Sequence, residues 1–373
     1  MLPPLVFQPY FRPQVWGETR LQRLLGKSLP AGQRIGESWE ISGHALHVSR
    51  VAEGIFAGAS LNQLWGLHRR EFLGFQSATR NVWQDRQPFP LLIKLLDCHD
   101  WLSVQVHPSD MAARELLGEP NGKTEAWIVL HAEPGSRIYA GLKQGVRRCD
   151  LESHLDHGTL AECLHTFEPQ PGDCLLIEAG TVHAVGGGVL LAEIQQTSDA
   201  TLRLFDWNRL DANGRPRELH REAALQCINF DSGPVEPVRR TQCSWQTNHR
   251  ISHQRLDRSF TDESYLSGIV DQETLITSDY FSLDAVHLEV QSRMLDDEPL
   301  TLWMVLSGTA TLLNSLTGYE RTFAAGECVM IPADSQGLTW LAGNASLLRI
   351  EPTLEHSPAI PAVLRSRQLA TVG

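Results

Sequence analysis

The sequence predicts a mainly β protein built as two jelly-roll barrels with a few added helices. Three observations carry that expectation. Most of the 373 residues fall into short β-rich runs punctuated by Gly, Pro, Asn and Asp, the rhythm of a sandwich or barrel. Helical spacing is confined to a few separate stretches. A strand, turn and strand pattern also recurs once along the chain.

In chain order, the clearest β runs are 90–98 (PLLIKLLDC), 126–132 (AWIVLHA), 173–179 (DCLLIEA) and 188–196 (GVLLAEIQQ). Helical spacing appears at 60–73, 109–117, 150–164 and 217–227, with Ser60 and Asp150 as N-caps and Gly118 as a stop. Placing residues 171–184 (PGDCLLIEAGTVHA) over 325–338 (AGECVMIPADSQGL) matches Gly172 with Gly326, Asp173 with Glu327, Cys174 with Cys328 and Ile177 with Ile331. The offset is constant at 154 (326 − 172). Both copies read as strand, tight turn, strand, a pattern that resembles the turn signature of cupin jelly rolls. His183 falls opposite Gly337, so one barrel is expected to be chemical and the other structural. The polar stretch 231–244, with Gly and two prolines, is the expected boundary. This divides the chain into a catalytic unit with helical insertions, 1–235, and a degenerate barrel without metal ligands, 236–373.

Composition narrows the function. Thirty-two Lys and Arg against 44 Asp and Glu give a net charge of −12, which disfavours general attraction to nucleic acid or anionic lipid. An anionic ligand therefore needs a local basic cluster. The N-terminal MLPPL lacks the basic and apolar regions of a secretory signal, and no apolar run approaches ~18 residues, so a cytoplasmic protein is expected. The seven cysteines form no Cys-x-x-Cys pair and fit a reducing compartment. Cysteine ligation of a metal is not expected.

In residues 101–110 (WLSVQVHPSD), alternation puts Ser103, Gln105 and His107 on one face of a strand and Val104 and Val106 on the other. Glu125 shares a face with Lys123 in 122–130 (GKTEAWIVL), and His183 lies in the turn 180–188 (GTVHAVGGG). Two imidazoles, a carboxylate and an amide oxygen suit one Zn²⁺ per chain, while also tolerating Fe²⁺, Mn²⁺ or Co²⁺. A lone histidine is more often a core or surface residue. His44 and His99 are the two others worth following into the structure.

Residues 105–110 (QVHPSD), 122–127 (GKTEAW), 180–184 (GTVHA) and 193–209 (EIQQTSDATLRLFDWNR) resemble the successive motifs of the type I mannose-6-phosphate isomerases in their short bacterial form. These are zinc-dependent cupins, and 15–22 (VWGETRLQ) and 35–42 (IGESWEIS) fit the same family. The resemblance is dense over roughly residues 1–230, and several ordered motifs make it specific. It implies Gln105, His107, Glu125 and His183 as metal ligands and Arg203 as an essential active-site arginine. It further implies Ser103 and Lys123 at phosphate- and sugar-binding positions, Trp16 at the pocket wall, and Glu193 as a pocket carboxylate. Arg209 stands where longer relatives carry a lysine, and Gly17-Glu18 departs from the Gly-Gly of many short members.

Such an enzyme interconverts an aldose and a ketose phosphate by moving a proton between C1 and C2 through an enediol. Glu193 is the candidate base, with His99 or a water on the metal as alternatives. Arg203 would stabilise enediolate charge, and Lys123, Ser103 and Arg209 would hold the phosphate. The competing classes are a cupin oxygenase, since two histidines and a carboxylate also serve non-haem iron, and a non-catalytic sugar-binding cupin. Converging basic residues favour the isomerase. A monomer or homodimer is expected.

Overall fold

The computed structural model describes residues 1–78, 88–210, 214–239, 271–295 and 299–353, and in it the strand runs form three antiparallel sheets. The first eleven strands are β1 (Tyr10–Glu18), β2 (Ile35–Ser42), β3 (Leu91–Cys98), β4 (Val104–Val106), β5 (Glu125–Ala132), β6 (Ile138–Leu142), β7 (Leu164–Phe167), β8 (Cys174–Ile177), β9 (His183–Val185), β10 (Val189–Gln196) and β11 (Leu202–Phe205). They divide into a six-stranded sheet, β1-β2-β3-β10-β5-β8, and a five-stranded sheet, β11-β4-β9-β6-β7.

Side-chain alternation explains why this barrel has a chemical end. On β3, β5 and β10, one face carries Ile93, Leu95, Ala126, Ile128, Ala192 and Ile194 into a large apolar core. The other face carries Leu96, Cys98, Trp127, Val129, Val189 and Leu191 into a second core shared with Ile138 and Val185 of the five-stranded sheet. Along that same inner face, the residues two positions away are Lys94, Glu125 and Glu193. Register places Glu193 opposite Lys94 and Trp127, and Gln195 opposite Glu125. The barrel interior thus turns from apolar to charged at one end.

The second barrel comprises β12 (Asp271–Thr277), β13 (Phe281–Leu295), β14 (Thr301–Asn314), β15 (Tyr319–Ala324), β16 (Cys328–Ile331) and β17 (Thr339–Pro352). Strand β14 alternates between two cores: Trp303 and Val305 line this barrel's own, while Leu302 and Met304 join the one shared with the first sheet. The N-terminal segment crosses over to it, with Leu5 and Met330 exchanging backbone hydrogen bonds at 2.8 and 2.9 Å.

The internal repeat is a structural one. Gly172 and Gly326 both adopt the left-handed conformation (φ 93° and 81°) that glycine tolerates. Asp173 accepts from the Gln170 amide at 2.9 Å, and Glu327 accepts from the Ala324 amide at 2.8 Å. The copies diverge at the next turn. The first runs straight into β9 at His183, whereas the second winds into a 3-10 helix at Ala333–Leu338, which contains Gly337.

The helices differ from expectation in extent. The 60–73 stretch splits into Leu61–Leu67, capped by the Ser60 hydroxyl, and Arg69–Ala78, interrupted at Gly74 (φ 76°). Helix Asp110–Ala112 is capped by Ser109 and runs through a π turn to a left-handed Gly118. Asp150 is not an N-cap: the helix starts at Arg148, and Asp150 sits in its first turn accepting from the Arg147 amide. That helix ends at His157, because Gly158 takes a left-handed cap and Leu164 belongs to β7. The last helix starts at Arg221 rather than 217. Of the expected boundary, residues 231–239 run along the first barrel, with Val238 and Cys174 exchanging backbone hydrogen bonds at 2.7 and 3.0 Å. Residues 240–244 lie outside the described residues. The described cysteines, 98, 149, 163, 174, 227 and 328, are free, and no described helix is long and apolar enough to cross a membrane.

Candidate metal centre

His107, Glu125 and His183 meet at the charged end of the first barrel, with their donor atoms all within 4.8 Å of one another. All three are buried. Strand β4 delivers His107 just past Val106, β9 opens with His183 beside Gln105, and β5 opens with Glu125. The imidazole Nδ1 atoms are occupied: His107 donates to the Ala200 carbonyl at 2.8 Å and His183 to the Thr181 carbonyl at 2.9 Å. That assigns the lone pairs to Nε2, which lie 3.3 and 3.5 Å from the two oxygens of Glu125. Burial, and then the Lys123 charge, push the His107 pKa down to about 4, and burial lowers that of His183, so both rings are neutral.

Glu125 supplies the negative charge. Burial raises its pKa, but Lys123, His107 and His183 outweigh this and hold it well below the ordinary value. Both its oxygens are buried without an aligned hydrogen-bond donor, although Lys123 Nζ stands 2.7 Å from Oε2. Two neutral imidazole lone pairs and an under-satisfied carboxylate are the donor set a divalent metal takes up. Gln105 presents its amide nitrogen to His183 Nε2 at 3.2 Å, while its oxygen accepts from Ser103 at 3.1 Å.

A cavity opens beside the triad, lined by Trp16, Ser103, Gln105, Lys123, Glu193 and Arg203. Lys123 Nζ lies 3.1 Å from His107 Nε2 and 3.6 Å from Glu193. Burial lowers the Lys123 pKa, yet Glu125 and Glu193 outweigh it, so the ammonium stays charged. Arg203 reaches the cavity because its residue on β11 pairs with Gln105 on β4.

The chain matches the catalytic-domain model described as phosphomannose isomerase type I over residues 5–127. It is 32% identical to mannose-6-phosphate isomerase ManA of Bacillus subtilis, over 88% of this chain and 93% of that one. The chain belongs to the type I phosphomannose isomerases. A crystal structure of the mannose 6-phosphate isomerase from Bacillus subtilis superposes with a TM-score of 0.76 at 29% identity, covering 94% of this chain and 100% of the other. A more distant mannose 6-phosphate isomerase, solved bound with zinc and yttrium, shares the fold at 16% identity, with a TM-score of 0.66 over 94% and 99% of the two chains.

Against that family pattern, one expected pocket residue stands elsewhere. Arg209 does not line the cavity: its guanidinium is held by Asp206 at 2.5 Å, by Asp100 at 3.5 Å and by the Trp101 carbonyl. Neither His99, half-exposed beside Glu18, nor His44, edge-on to Trp39, joins the triad or lines the cavity. Five charged cavity residues, Arg12, Glu37, Lys94, Asp199 and Arg217, went unremarked in the sequence. Lys94 lies 3.1 Å from Glu193, and Arg12 bridges Glu37 and Asp199 at 3.3 and 3.1 Å. Lys94 carried a readable signal, because a lysine inside the apolar run 90–98 has to find a carboxylate if that strand is buried. Arg217, the fifth such residue, also reaches the cavity.

Proposed function

We propose that this site interconverts mannose 6-phosphate and fructose 6-phosphate, with a single zinc ion held by His107, Glu125, His183 and Gln105. The observation that carries the reading is the buried triad, with both Nε2 lone pairs turned onto Glu125, placed against a cavity with ammonium and guanidinium groups on its walls. For Gln105 to serve, its amide turns over so that the oxygen meets the metal and the nitrogen donates to Ser103. Zinc, when bound, would draw electron density from the sugar's carbonyl and hydroxyl oxygens and ease loss of the C2 proton.

The chain's own residues do the rest. Glu193 takes the proton from C2 of the aldose, and the C2–H electron pair becomes the double bond of the enediol. The same carboxyl returns the proton to C1, while the hydroxyl proton on O2 is transferred to O1. A Glu193 oxygen is buried without an aligned donor, which leaves it a lone pair for this task. Lys123, held charged, donates to whichever oxygen carries the developing charge, and Arg203 does so from the opposite wall. Trp16 and Leu102 cover the cavity's apolar side and exclude water. Residues 1–235 would form the catalytic unit and 236–373 a supporting one. Among the described residues, no second group of potential metal ligands occurs.

The test measures fructose 6-phosphate formed from mannose 6-phosphate before chelation, after it, and after zinc return. Activity should vanish and recover with zinc. No turnover with the metal fully loaded would sink the isomerase reading. An oxygenase acting on an uncharged substrate has no use for Lys94, Lys123 and Arg203 around one cavity.

A further inference from the structure

Charge is unevenly distributed around the cavity. On the side of the triad, Arg12, Lys94 and Lys123 each stand within 4 Å of a carboxylate, the acids being Glu37, Glu125, Glu193 and Asp199. That wall is balanced or slightly acidic. On the other side, three guanidiniums, Arg203, Arg209 and Arg217, gather about the buried Asp206, with the half-exposed Asp100 beside Arg209 and with Asp199 and the exposed Glu218 acting on Arg203 from farther off. Arg203 makes no ion pair among the described residues, and its Nε is buried without a partner. A dianion entering this cavity is drawn to the second wall.

Within that wall the three arginines have different duties. Arg203 pairs with Gln105 in register and so stands at the reacting end. Arg209 is tied through its two Nη groups to Asp206, Asp100 and the Trp101 carbonyl, with its Nε buried and unpaired, and it does not line the cavity. Arg217 lines the cavity and binds Asp206 through one edge only, Nε to Oδ2 at 2.7 Å and Nη2 to Oδ1 at 2.5 Å. That fork fixes the plane of its guanidinium and leaves the Nη1 hydrogens unused among the described residues.

We infer that Arg217, aimed by Asp206, holds the phosphate group of the substrate, the task that the family pattern would give to Arg209. The inference rests on the sugar-phosphate reading above. It places the phosphomonoester dianion against the guanidinium edge not occupied by Asp206, with the Ser103 and Thr201 hydroxyls on the same cavity lining. Burial and then Arg217 depress the Arg203 pKa, as expected where positive charge is left uncompensated.

Three variants test it: Arg217→Ala, Arg217→Lys and Arg209→Ala, each assayed for zinc content, for kcat and KM with mannose 6-phosphate, and for inorganic phosphate binding by calorimetry. Arg217→Ala should raise KM about tenfold or more and weaken phosphate binding in parallel, with kcat changed less than about threefold and zinc retained. Arg217→Lys should fall between Arg217→Ala and the unaltered protein, since the charge remains but the fork does not. Arg209→Ala should weaken phosphate binding less than Arg217→Ala does. An unchanged KM and phosphate affinity in Arg217→Ala would overturn the inference, as would a larger loss in Arg209→Ala. Calorimetry with phosphate needs no turnover, so it separates this inference from failure of the isomerase reading, which shows instead as inactivity of the unaltered, zinc-loaded protein.

Discussion

The hydroxyl of Tyr280, from the turn between β12 and β13, donates to Asp110 Oδ2 at 3.1 Å, and so ties the second barrel to the loop that carries Lys123. The other oxygen of Asp110 accepts from the Gly122 amide at 2.7 Å and from Gln196 at 2.9 Å. Gln196 in turn accepts from the Thr124 amide at 2.8 Å. The bracket closes tightly: a Cβ on Gly122 would lie 2.5 Å from the backbone of Ser109 and Asp110.

Removing that hydroxyl should loosen the loop without removing a ligand. Tyr280→Phe is expected to cost about 1 kcal/mol of stability and to lower kcat about tenfold or less, with one zinc per chain retained. Urea unfolding and metal analysis alongside steady-state kinetics check this. Unchanged stability and turnover would show that the bond does not position Lys123.

Metal binding and catalysis should separate by residue. His183→Ala is expected to lose both zinc and activity, whereas Arg203→Ala should lose activity with zinc content intact. Metal analysis of the two purified variants decides it, and equal zinc loss would contradict the roles assigned here.

Glu193→Gln removes the proposed base while keeping its shape. Turnover should fall by roughly 10²–10⁴, and solvent deuterium should no longer enter the sugar at C1 or C2. Zinc should stay bound, since Glu193 lies nearer the lysines than the triad. A variant within about threefold of full activity would remove Glu193 from this role.

Acid should destabilise the chelated protein earlier than carboxylate titration would. Burial depresses the pKa values of His107 and His183 in the fold, that of His107 to about 4, against the ordinary histidine value of 6.5. Between those values the unfolded chain binds protons that the folded chain refuses, so stability rises with pH across this window and falls as pH drops from about 6.5 towards 4. The urea midpoint of chelated protein between pH 7 and 4 measures the slope, and His107→Asn should flatten it. An equal slope in both would refute the assignment.

Much of the metal centre was legible because its signals are local. Strand alternation alone put Ser103, Gln105 and His107 on one face, and the same period paired Lys123 with Glu125. The turn holding His183 could be found from its repeat partner at Gly337, although only the structure revealed that the second copy coils there into a 3-10 helix. Helix ends were harder to place. Asp150 suits an N-cap by residue type, yet its carboxylate serves equally well from inside the first turn, reaching back to the Arg147 amide.

The amino-acid sequence by itself determined the β architecture, the duplicated turn, the candidate triad of His107, Glu125 and His183 and the family motifs, since each depends on residue type at spacings of a few positions. Tertiary structure alone decided which charges face the cavity. Lys94 meets Glu193 only through the β3–β10 register, and Arg12 comes in from β1 at the sheet edge. Arg209 and Arg217 both bind Asp206, and of the two it is Arg217, to which the sequence reading gave no role, that lines the cavity. Such outcomes hang on long-range pairing, where a difference of one strand position turns a side chain from the core to the cavity.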